Sequence, residues 1–189
     1  SADYSQIELR VLAHLSGDKT LIRLFKGGHD IHAETAAVLL HIPIDKLTKQ
    51  DRAVGKRINF SILYGLTPYG LSKDLDISLK DAKQYIEAYF NQYPQVKEWM
   101  DKVIEETKKH GYTETVFGRK RPMPGIYEKN KHLYEEACRV AINTVAQGTA
   151  AELMKMGMLR VDAALKKHAY DAALLLQIHD ELLLTVAKT

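Results

Sequence analysis

The sequence has a single cysteine, Cys138, among its 189 residues. One thiol cannot close an internal disulfide or build the cysteine cluster of a structural zinc site, so the fold has to depend on buried apolar side chains. A lone cysteine also fits a reducing compartment. Because 46% of the residues are hydrophobic, the chain can form a useful core in one ordinary domain or two small sub-domains.

Long hydrophobic runs are missing too. No stretch approaches the roughly 18 apolar residues that a membrane span needs. The first residues, Ser1-Ala2-Asp3-Tyr4, lack the basic and apolar pattern of a targeting signal. These absences predict a protein of the cell interior with no membrane partner.

An excess of one charge is also absent. Lys and Arg number 27 against 24 acidic residues, which gives a net charge of +3. This balance permits a nucleic-acid partner but does not indicate one. We find no internal repeat, low-complexity tract or flexible linker, which excludes repeat architectures.

Helical periodicity dominates most of the sequence. A long helical pattern covers 132–168, where Gly148 and Thr149 predict a bend or a break. In 112–126, β-branched residues around a Gly-Arg turn predict a small hairpin or an irregular loop. Apolar spacing and end signals predict further helices at 7–16, 20–26, 31–40, 49–64, 78–90 and 95–109.

Two aspartates lie near opposite ends of the chain. Asp180 lies at the polar corner between two apolar runs, 172–178 and 181–186, which predict a buried hairpin with an acidic tip. Asp3 lies where a strand or loop meets the first helix. Carboxylates on adjacent strand ends could share the divalent ions used in phosphoryl transfer. Most aspartates at such places are caps or solvated turn residues, so both interpretations stay open.

Four side chains spaced by four residues form a stripe on the predicted helix 49–64. Arg52, Lys56, Phe60 and Tyr64 span roughly 120° of one helix face. Two cations followed by two rings suit a nucleoside triphosphate, because cations bind phosphates and rings pack on sugar and base. The alternative is an amphipathic helix with both rings in the core and both cations in solvent.

A second polar row lies in the long helical pattern. Arg139, Asn143 and Gln147 are also spaced by four. Long polar side chains in such a row can donate hydrogen bonds to the acceptors that every base pair presents in the minor groove. They would then check pair shape without reading sequence. The alternative is an ordinary solvated helix face.

Together these segments resemble the motifs of the family A DNA polymerases. Residues 3–10, Asp-Tyr-Ser-Gln-Ile-Glu-Leu-Arg, resemble motif A. Residues 52–65 resemble motif B, and residues 177–181, Gln-Ile-His-Asp-Glu, resemble motif C. Their order and separation match the family, and the resemblance covers essentially the whole chain. The function it implies is template-directed DNA synthesis, in which deoxynucleoside triphosphates are added to a primer 3′-hydroxyl with release of pyrophosphate.

The resemblance implies a catalytic centre that holds two Mg²⁺ ions. The implied metal ligands are Asp3, Asp180 and the backbone carbonyl of Tyr4. Glu181 resembles an accessory carboxylate beside them. Lys56 resembles the residue that gives a proton to the leaving pyrophosphate.

The resemblance also implies a binding site for the incoming nucleotide. Glu8 resembles the steric gate that excludes a 2′-hydroxyl. Phe60 resembles the ring beneath sugar and base, and Tyr64 resembles the aromatic residue beside the templating position. The implied nucleotide-binding residues are Gln6, Glu8, His32, Arg52, Lys56, Phe60 and Tyr64.

The implied macromolecular partner is primer-template DNA. Its contacts would be Arg139, Asn143, Gln147 and His179, at the primer terminus and the nascent pair. We expect a monomer in the cytoplasm, associated with the nucleoid in a bacterium, or in another intracellular compartment that holds DNA.

The implied fold is α+β, a partial polymerase palm with a helical fingers sub-domain inserted. The palm would be a small antiparallel sheet backed by helices, made of residues 1–28 and 129–189, and the fingers would be residues 29–128. The chain begins directly at motif A and ends soon after motif C. We therefore expect a piece of a longer polypeptide that is weakly active or inactive alone.

Other functions predict different residues. A phage-type single-subunit RNA polymerase shares the two aspartates and the motif B lysine, but it predicts a small residue at the sugar gate and a tyrosine at position 60. Glu8 and Phe60 favour DNA instead. A reverse transcriptase predicts a Tyr-x-Asp-Asp corner, and this corner is His-Asp-Glu. A fragment that binds nucleotide or DNA without turnover stays open.

Overall fold

A computed structural model describes residues 1–65 and 67–187. Two short 3-10 turns, Ile44–Lys46 and Pro124–Tyr127, join some of the elements. No helix within the described residues combines the length and the apolar character needed to cross a bilayer. The helices are α1 Ile7–Ser16, α2 Lys19–Lys26, α3 Ile31–Leu40, α4 Lys49–Leu63, α5 Pro68–Leu75, α6 Leu79–Gln92, α7 Pro94–His110 and α8 Lys131–Lys167. The strands are β1 Ala2–Asp3, β2 Tyr112–Glu114, β3 Lys120–Pro122, β4 Ala172–Ile178 and β5 Glu181–Val186.

Short polar side chains fix where the helices begin. Asp18 accepts hydrogen bonds from two backbone N–H groups at the start of α2, and Asp30 does the same for α3. At the start of α4, Thr48 and Asp51 form a capping box in which each side chain accepts from the backbone N–H of the other. These caps place α3 and α4, which carry most of the predicted nucleotide site.

The strands form two small antiparallel sheets, so the predicted α+β class is confirmed. One sheet has the order β1-β5-β4, and the other pairs β2 with β3. The predicted hairpin in 112–126 is present. In the first sheet Ala2 lies opposite Leu182 and Asp3 opposite Glu181, so the two ends of the chain meet.

Two sequence predictions are wrong. Helix α8 runs without interruption from Lys131 to Lys167, with no break at Gly148. A Cβ at Gly148 would lie 2.7 Å from Thr115 Cγ2, so this glycine makes room for the residue that follows β2 and does not interrupt the helix. The terminal hairpin is not buried, since β4 is largely exposed and Leu182 is the one fully buried position of β5.

The exposure of the hairpin has a topological cause. Its leucine-rich runs predicted cover on both faces, but in the described chain β5 pairs with β1 and β4 packs on α8. Leu175 is 65% exposed and Val186 is 69% exposed. The hairpin therefore has more apolar side chains than the described elements can bury.

The main core lies between α1, α2, α3, α4, α6 and α7. Its largest fully buried side chains include two tyrosines whose rings lie edge to face, with centroids 4.9 Å apart. Helices α3 and α4 share the most extensive contact of any helix pair. The buried side chains of this core include Leu9, Leu12, Leu21, Ile31, Ile58, Leu63, Leu71, Tyr89, Tyr93 and Val96.

Helices α3 and α4 lie in close contact at Gly55. A Cβ at this position would lie 2.1 Å from the backbone oxygen of His32 and 2.9 Å from the backbone nitrogen of Ala36. Backbone atoms cannot move aside as a flexible side chain can. The two helices can therefore pack in this way only with glycine at position 55.

We expect Gly55→Ala to destabilise the fold by about 2 kcal/mol or more, because the two helices must separate. In an unobstructed helix the same change stabilises by about 1 kcal/mol, so the sign of the effect is diagnostic. Urea denaturation of both proteins measures it. An unchanged or higher free energy of unfolding would contradict the close contact.

Candidate active site

A cavity of about 380 Å³ lies between the corner of the first sheet and helices α1, α4 and α8. Its lining mixes polar side chains with apolar ones, including two alanines of α8. It is lined by residues from the aspartate pair, from the α4 stripe and from the polar row of α8. Among its lining residues are Glu8, Phe60, Tyr64, Gln147, His179 and Asp180.

The corner of the first sheet brings the two distant aspartates together. The backbone N–H of Tyr4 donates to the backbone oxygen of Asp180 over 3.1 Å, and Asp3 is the register partner of Glu181. His179 takes a left-handed conformation, with φ of 53°, which allows β4 to turn tightly into β5. The predicted convergence of Asp3 and Asp180 is therefore present in the backbone.

The donor set at this corner fits magnesium. Asp3 and Asp180 offer carboxylate oxygens, and Tyr4 offers a backbone carbonyl. Within residues 1–65 and 67–187 no group of three or more His, Cys, Asp or Glu side chains is placed to hold a metal ion. Magnesium is typically bound by one or two carboxylates together with water and substrate phosphates, whereas an all-protein cage is typical of other ions.

The stripe on α4 lies outside the core. The buried positions of this helix are Gly55, Ile58, Asn59, Ile62 and Leu63, none of which belongs to the stripe. The side chains of the stripe lie on the other faces: Arg52 and Lys56 are exposed, Phe60 is half-buried and Tyr64 is 39% exposed. The alternative of two core aromatics on an amphipathic helix is therefore wrong.

The rings of the stripe form a row with His32. The centroids of Phe60 and Tyr64 lie 6.3 Å apart with nearly parallel planes, and those of His32 and Phe60 lie 5.9 Å apart. Phe60 and Tyr64 line the cavity, whereas His32, Arg52 and Lys56 do not. Arg52 lies eight residues before Phe60, so the two residues are about 12 Å apart along the axis of α4. The stripe thus runs from the cavity out to a cationic end.

Arg52 is held by Asp30, the capping residue of α3. Its Nε donates to the Asp30 carboxylate. Partial burial alone would raise the pKa of Asp30, but the hydrogen bond and charge of Arg52, with the backbone N–H groups of Ala33 and His32, lower the pKa below its usual value. Lys56, in contrast, forms no ion pair among the described residues. Of the two cations of the stripe, Lys56 is the nearer to Phe60 along the helix.

A hydrogen bond that sequence reasoning missed joins α4 to α1. The Tyr64 hydroxyl donates to the Glu8 carboxylate over 3.0 Å. Partial burial, and then the charge of Glu8, raise the pKa of Tyr64 above its usual value, so the hydroxyl remains a donor. Glu8 is therefore held in place at the cavity wall. The two residues are 56 positions apart, and no spacing rule links them.

The polar row on α8 faces the same region. A Cβ at Gly65 would lie 2.6 Å from Arg139 Cγ, so the arginine side chain packs against the turn that follows α4. Gln147 is exposed at the cavity wall. Asn143 is half-buried, and its Oδ1 is buried without a hydrogen-bond partner in the described structure. The row is thus only partly solvated.

The remaining predicted residues lie at the edges of the cavity. Gln6 lines it and starts α1 with a left-handed φ of 54°. Tyr4 packs on α8, because a Cβ at Gly157 would lie 2.7 Å from its hydroxyl. Glu181 is half-buried opposite Asp3.

His32 is buried, with only 3% of its surface exposed. Burial lowers its pKa below the usual value, and the charges of Arg52 and Lys56 lower it further against the opposing effect of Asp30. The imidazole is therefore neutral near pH 7.

We expect this histidine to make stability depend on pH. Because the folded pKa lies below the ordinary value of about 6.5, the folded state binds the proton less readily than the unfolded state does. The free energy of unfolding should therefore fall as the pH falls below about 6.5. His32→Gln should lose this dependence, as urea denaturation between pH 5 and pH 8 would show. Parallel pH profiles for the two proteins would contradict the prediction.

Comparison with known proteins identifies the family of this chain. The sequence model of DNA polymerase family A matches residues 1–189. DNA polymerase I of Streptococcus pneumoniae is 46% identical over 190 residues, which are 100% of this chain and 22% of that protein. The thermostable DNA polymerase I of Thermus aquaticus is 46% identical over 186 residues, 98% of this chain and 22% of that protein.

A solved structure has the same fold. The POL domain of Pol1 from M. smegmatis, in complex with DNA primer-template and dNTP, superposes with a TM-score of 0.94 at 41% identity. The match covers 98% of this chain and 33% of that one. The fold is therefore that of a DNA polymerase domain. The chain belongs to DNA polymerase family A, and it spans about a fifth of the length of the curated relatives it matches.

Proposed function

We propose that this chain forms the catalytic part of an enzyme for template-directed DNA synthesis, which adds deoxynucleoside triphosphates to a primer 3′-hydroxyl. The observation that supports this most is the meeting of Asp3 and Asp180 beside the ring end of the α4 stripe. Two carboxylates alone would suit many hydrolases. Carboxylates next to aromatic rings and a row of cations suit a nucleoside triphosphate.

The incoming nucleotide would lie along α4. Its sugar and base would pack on Phe60, and its phosphates would extend toward Lys56 and Arg52, which are exposed. Glu8, held by Tyr64, would lie against the sugar edge and exclude a 2′-hydroxyl. This placement favours deoxynucleotides and argues against the RNA polymerase alternative.

Primer-template DNA would lie along α8. Arg139 and Gln147 would donate to the acceptors common to every base pair in the minor groove, with Asn143 beside them and His179 at the primer terminus. In this proposal residues 1–28 and 129–189 act as palm, and residues 29–128 act as fingers. Rotation of α4 toward the palm upon correct pairing would convert pair geometry into rate.

Asp3, Asp180 and the Tyr4 carbonyl would hold two magnesium ions, with Glu181 as an accessory carboxylate. When bound, such ions lower the pKa of the attacking hydroxyl and neutralise charge on the leaving group. The protein side chains do the rest: Arg52 and Lys56 orient the phosphates, Phe60 positions the sugar, and Lys56 gives a proton to the departing pyrophosphate.

Primer extension tests the proposal. We expect the full-length polypeptide that carries this chain to extend a primer on a template, and Lys56→Ala to lower kcat by roughly 100-fold, since a general acid contributes about that much or more. Lys49→Ala is the matched control, because Lys49 is an exposed lysine in the first turn of the same helix.

Three results would contradict the proposal. Equal loss of activity in the Lys49 and Lys56 variants would point to charge alone. Full activity of Lys56→Ala would remove the proton-donor role. A full-length protein that binds primer-template and nucleotide but never extends the primer would favour binding without turnover.

A further inference from the structure

A chain of buried polar groups links α3, α4 and the residue between α6 and α7, and its His32 ring lies next to Phe60 of the stripe. It consists of His32, Thr35, Asn59 and Tyr93, all 3% exposed or less. Asn59 Nδ2 lies 3.2 Å from His32 Nδ1, Thr35 Oγ1 donates to Asn59 Oδ1 over 3.2 Å, and Thr35 Oγ1 lies 3.3 Å from the Tyr93 hydroxyl. Unpaired polar groups at this depth are costly, so the direction of each bond matters.

The direction follows from the single hydrogen of the Thr35 hydroxyl. Burial raises the pKa of Tyr93 to about 12, so its hydroxyl keeps its hydrogen, and Thr35 is its partner in the described residues. The single hydrogen of the Thr35 hydroxyl goes to Asn59 Oδ1, so Tyr93 donates to Thr35, which also accepts from Asn59 Nδ2 over 3.1 Å. The amide nitrogen of Asn59 is then the group that faces His32 Nδ1.

An amide N–H can donate only to an imidazole nitrogen that carries no hydrogen. The neutral ring must then carry its hydrogen on Nε2. Nε2 has no partner in the described structure, yet it is not among the fully buried unpaired atoms. Nε2 is thus an unpaired donor with some access to solvent, on a ring that lies near the cations Arg52 and Lys56 and the carboxylate of Asp30.

We propose that Asn59 is a positioning residue: its amide holds His32 in the neutral form that carries the ring hydrogen on Nε2, so that this nitrogen donates to the phosphates of the incoming nucleotide. The phosphate contact rests on the proposed function, whereas the hydrogen position does not. The close packing of α3 on α4 at Gly55 supports the proposal, since it makes His32 move together with Lys56 and Phe60 as one body.

Nitrogen-15 NMR of His32 tests the hydrogen position directly. We expect the native protein near pH 7 to show a protonated Nε2 and an unprotonated Nδ1. Asn59→Asp replaces the donor with an acceptor, so the hydrogen should move to Nδ1 or the ring should become protonated. If Asn59→Asp does not fold, Asn59→Leu should give a mixture of both neutral forms. A native ring with its hydrogen on Nδ1, or an unchanged ring in the folded Asn59 variant, overturns the proposal.

Kinetics of the full-length polypeptide test the consequence. If the ring of Asn59→Asp carries its hydrogen on Nδ1, we expect the KM for nucleotide to rise by roughly ten-fold with a smaller change in kcat, because a hydrogen bond to a charged phosphate is lost. A doubly protonated ring keeps the Nε2 donor and should not raise the KM. In a His32→Ala background the same change should add little, since Asn59 acts through His32. A similar ten-fold effect in both backgrounds overturns the positioning role and indicates general damage to the fold.

The two tests separate this proposal from the proposed function. A shifted ring hydrogen without any change in nucleotide KM upholds the control of His32 by Asn59 and refutes its phosphate contact.

Two tyrosines provide a matched control for the chain of hydrogen bonds itself. Tyr93→Phe removes the terminal donor and should disturb His32, whereas Tyr89→Phe should not, because the equally buried Tyr89 hydroxyl has no partner among the described residues. A disturbance in Tyr89→Phe alone overturns the directional chain.

Discussion

Asp180→Ala is expected to abolish primer extension, with a loss of about three orders of magnitude or more, and Asp3→Ala should do the same. Each change removes one of the two carboxylates that meet at the corner of the first sheet. Without either one the metal ions would lose a ligand that places the attacking oxygen and the leaving group. Primer extension under single-turnover conditions measures the loss.

The fold and the binding of DNA should survive these changes. Neither aspartate side chain forms a hydrogen bond within the described residues, and Asp3 is exposed. Gel-shift binding of primer-template should therefore remain close to that of the unchanged protein. Asp171→Ala is the matched control, since Asp171 is an exposed aspartate just before β4, at the far end of the same hairpin. Retained extension by Asp3→Ala or Asp180→Ala would reject the metal assignment.

Glu8→Ala is expected to admit ribonucleotides, lowering the preference for deoxynucleotides on the order of 100-fold. The reason is steric: the carboxylate, held by Tyr64 over 3.0 Å, would occupy the space that a 2′-hydroxyl needs. The ratio of kcat/KM for a deoxynucleotide and its ribonucleotide measures the effect.

Two further variants separate volume from charge and position. Glu8→Gln keeps the volume and still accepts from Tyr64, so it should keep most of the selectivity. Tyr64→Phe frees Glu8 to move and should give an intermediate loss. Unchanged sugar selectivity in Glu8→Ala would refute the gate, and an equal loss in Glu8→Gln would show that charge, not size, excludes the ribonucleotide.

Local signals were enough to predict most helices and the residues on one helix face. The α4 stripe follows from a spacing of four, and the helices follow from apolar spacing and end signals. The meeting of Asp3 with Asp180 is a matter of strand pairing across 177 positions. The motif resemblance predicted that meeting, and periodicity could not.

Other features escaped prediction because they depend on tertiary contacts. Gly148 has the sequence of a helix breaker, but its partner Thr115 lies in another element. The hairpin has the sequence of a buried strand pair, but burial depends on which elements cover it. The contacts of Asn59 with His32 and Thr35, and of Tyr64 with Glu8, join residues 24 to 56 positions apart.

The length and continuity of helix α8 limit where insertions and deletions can be accepted in evolution. Its 37 residues form a rod about 55 Å long that touches the turn after α4 at Arg139, the β2 region at Gly148 and Tyr4 at Gly157. One inserted or deleted residue between these points would turn one end by about 100° relative to the other. Length variation should therefore be tolerated in surface connections such as 41–48 and be selected against along the middle of this rod.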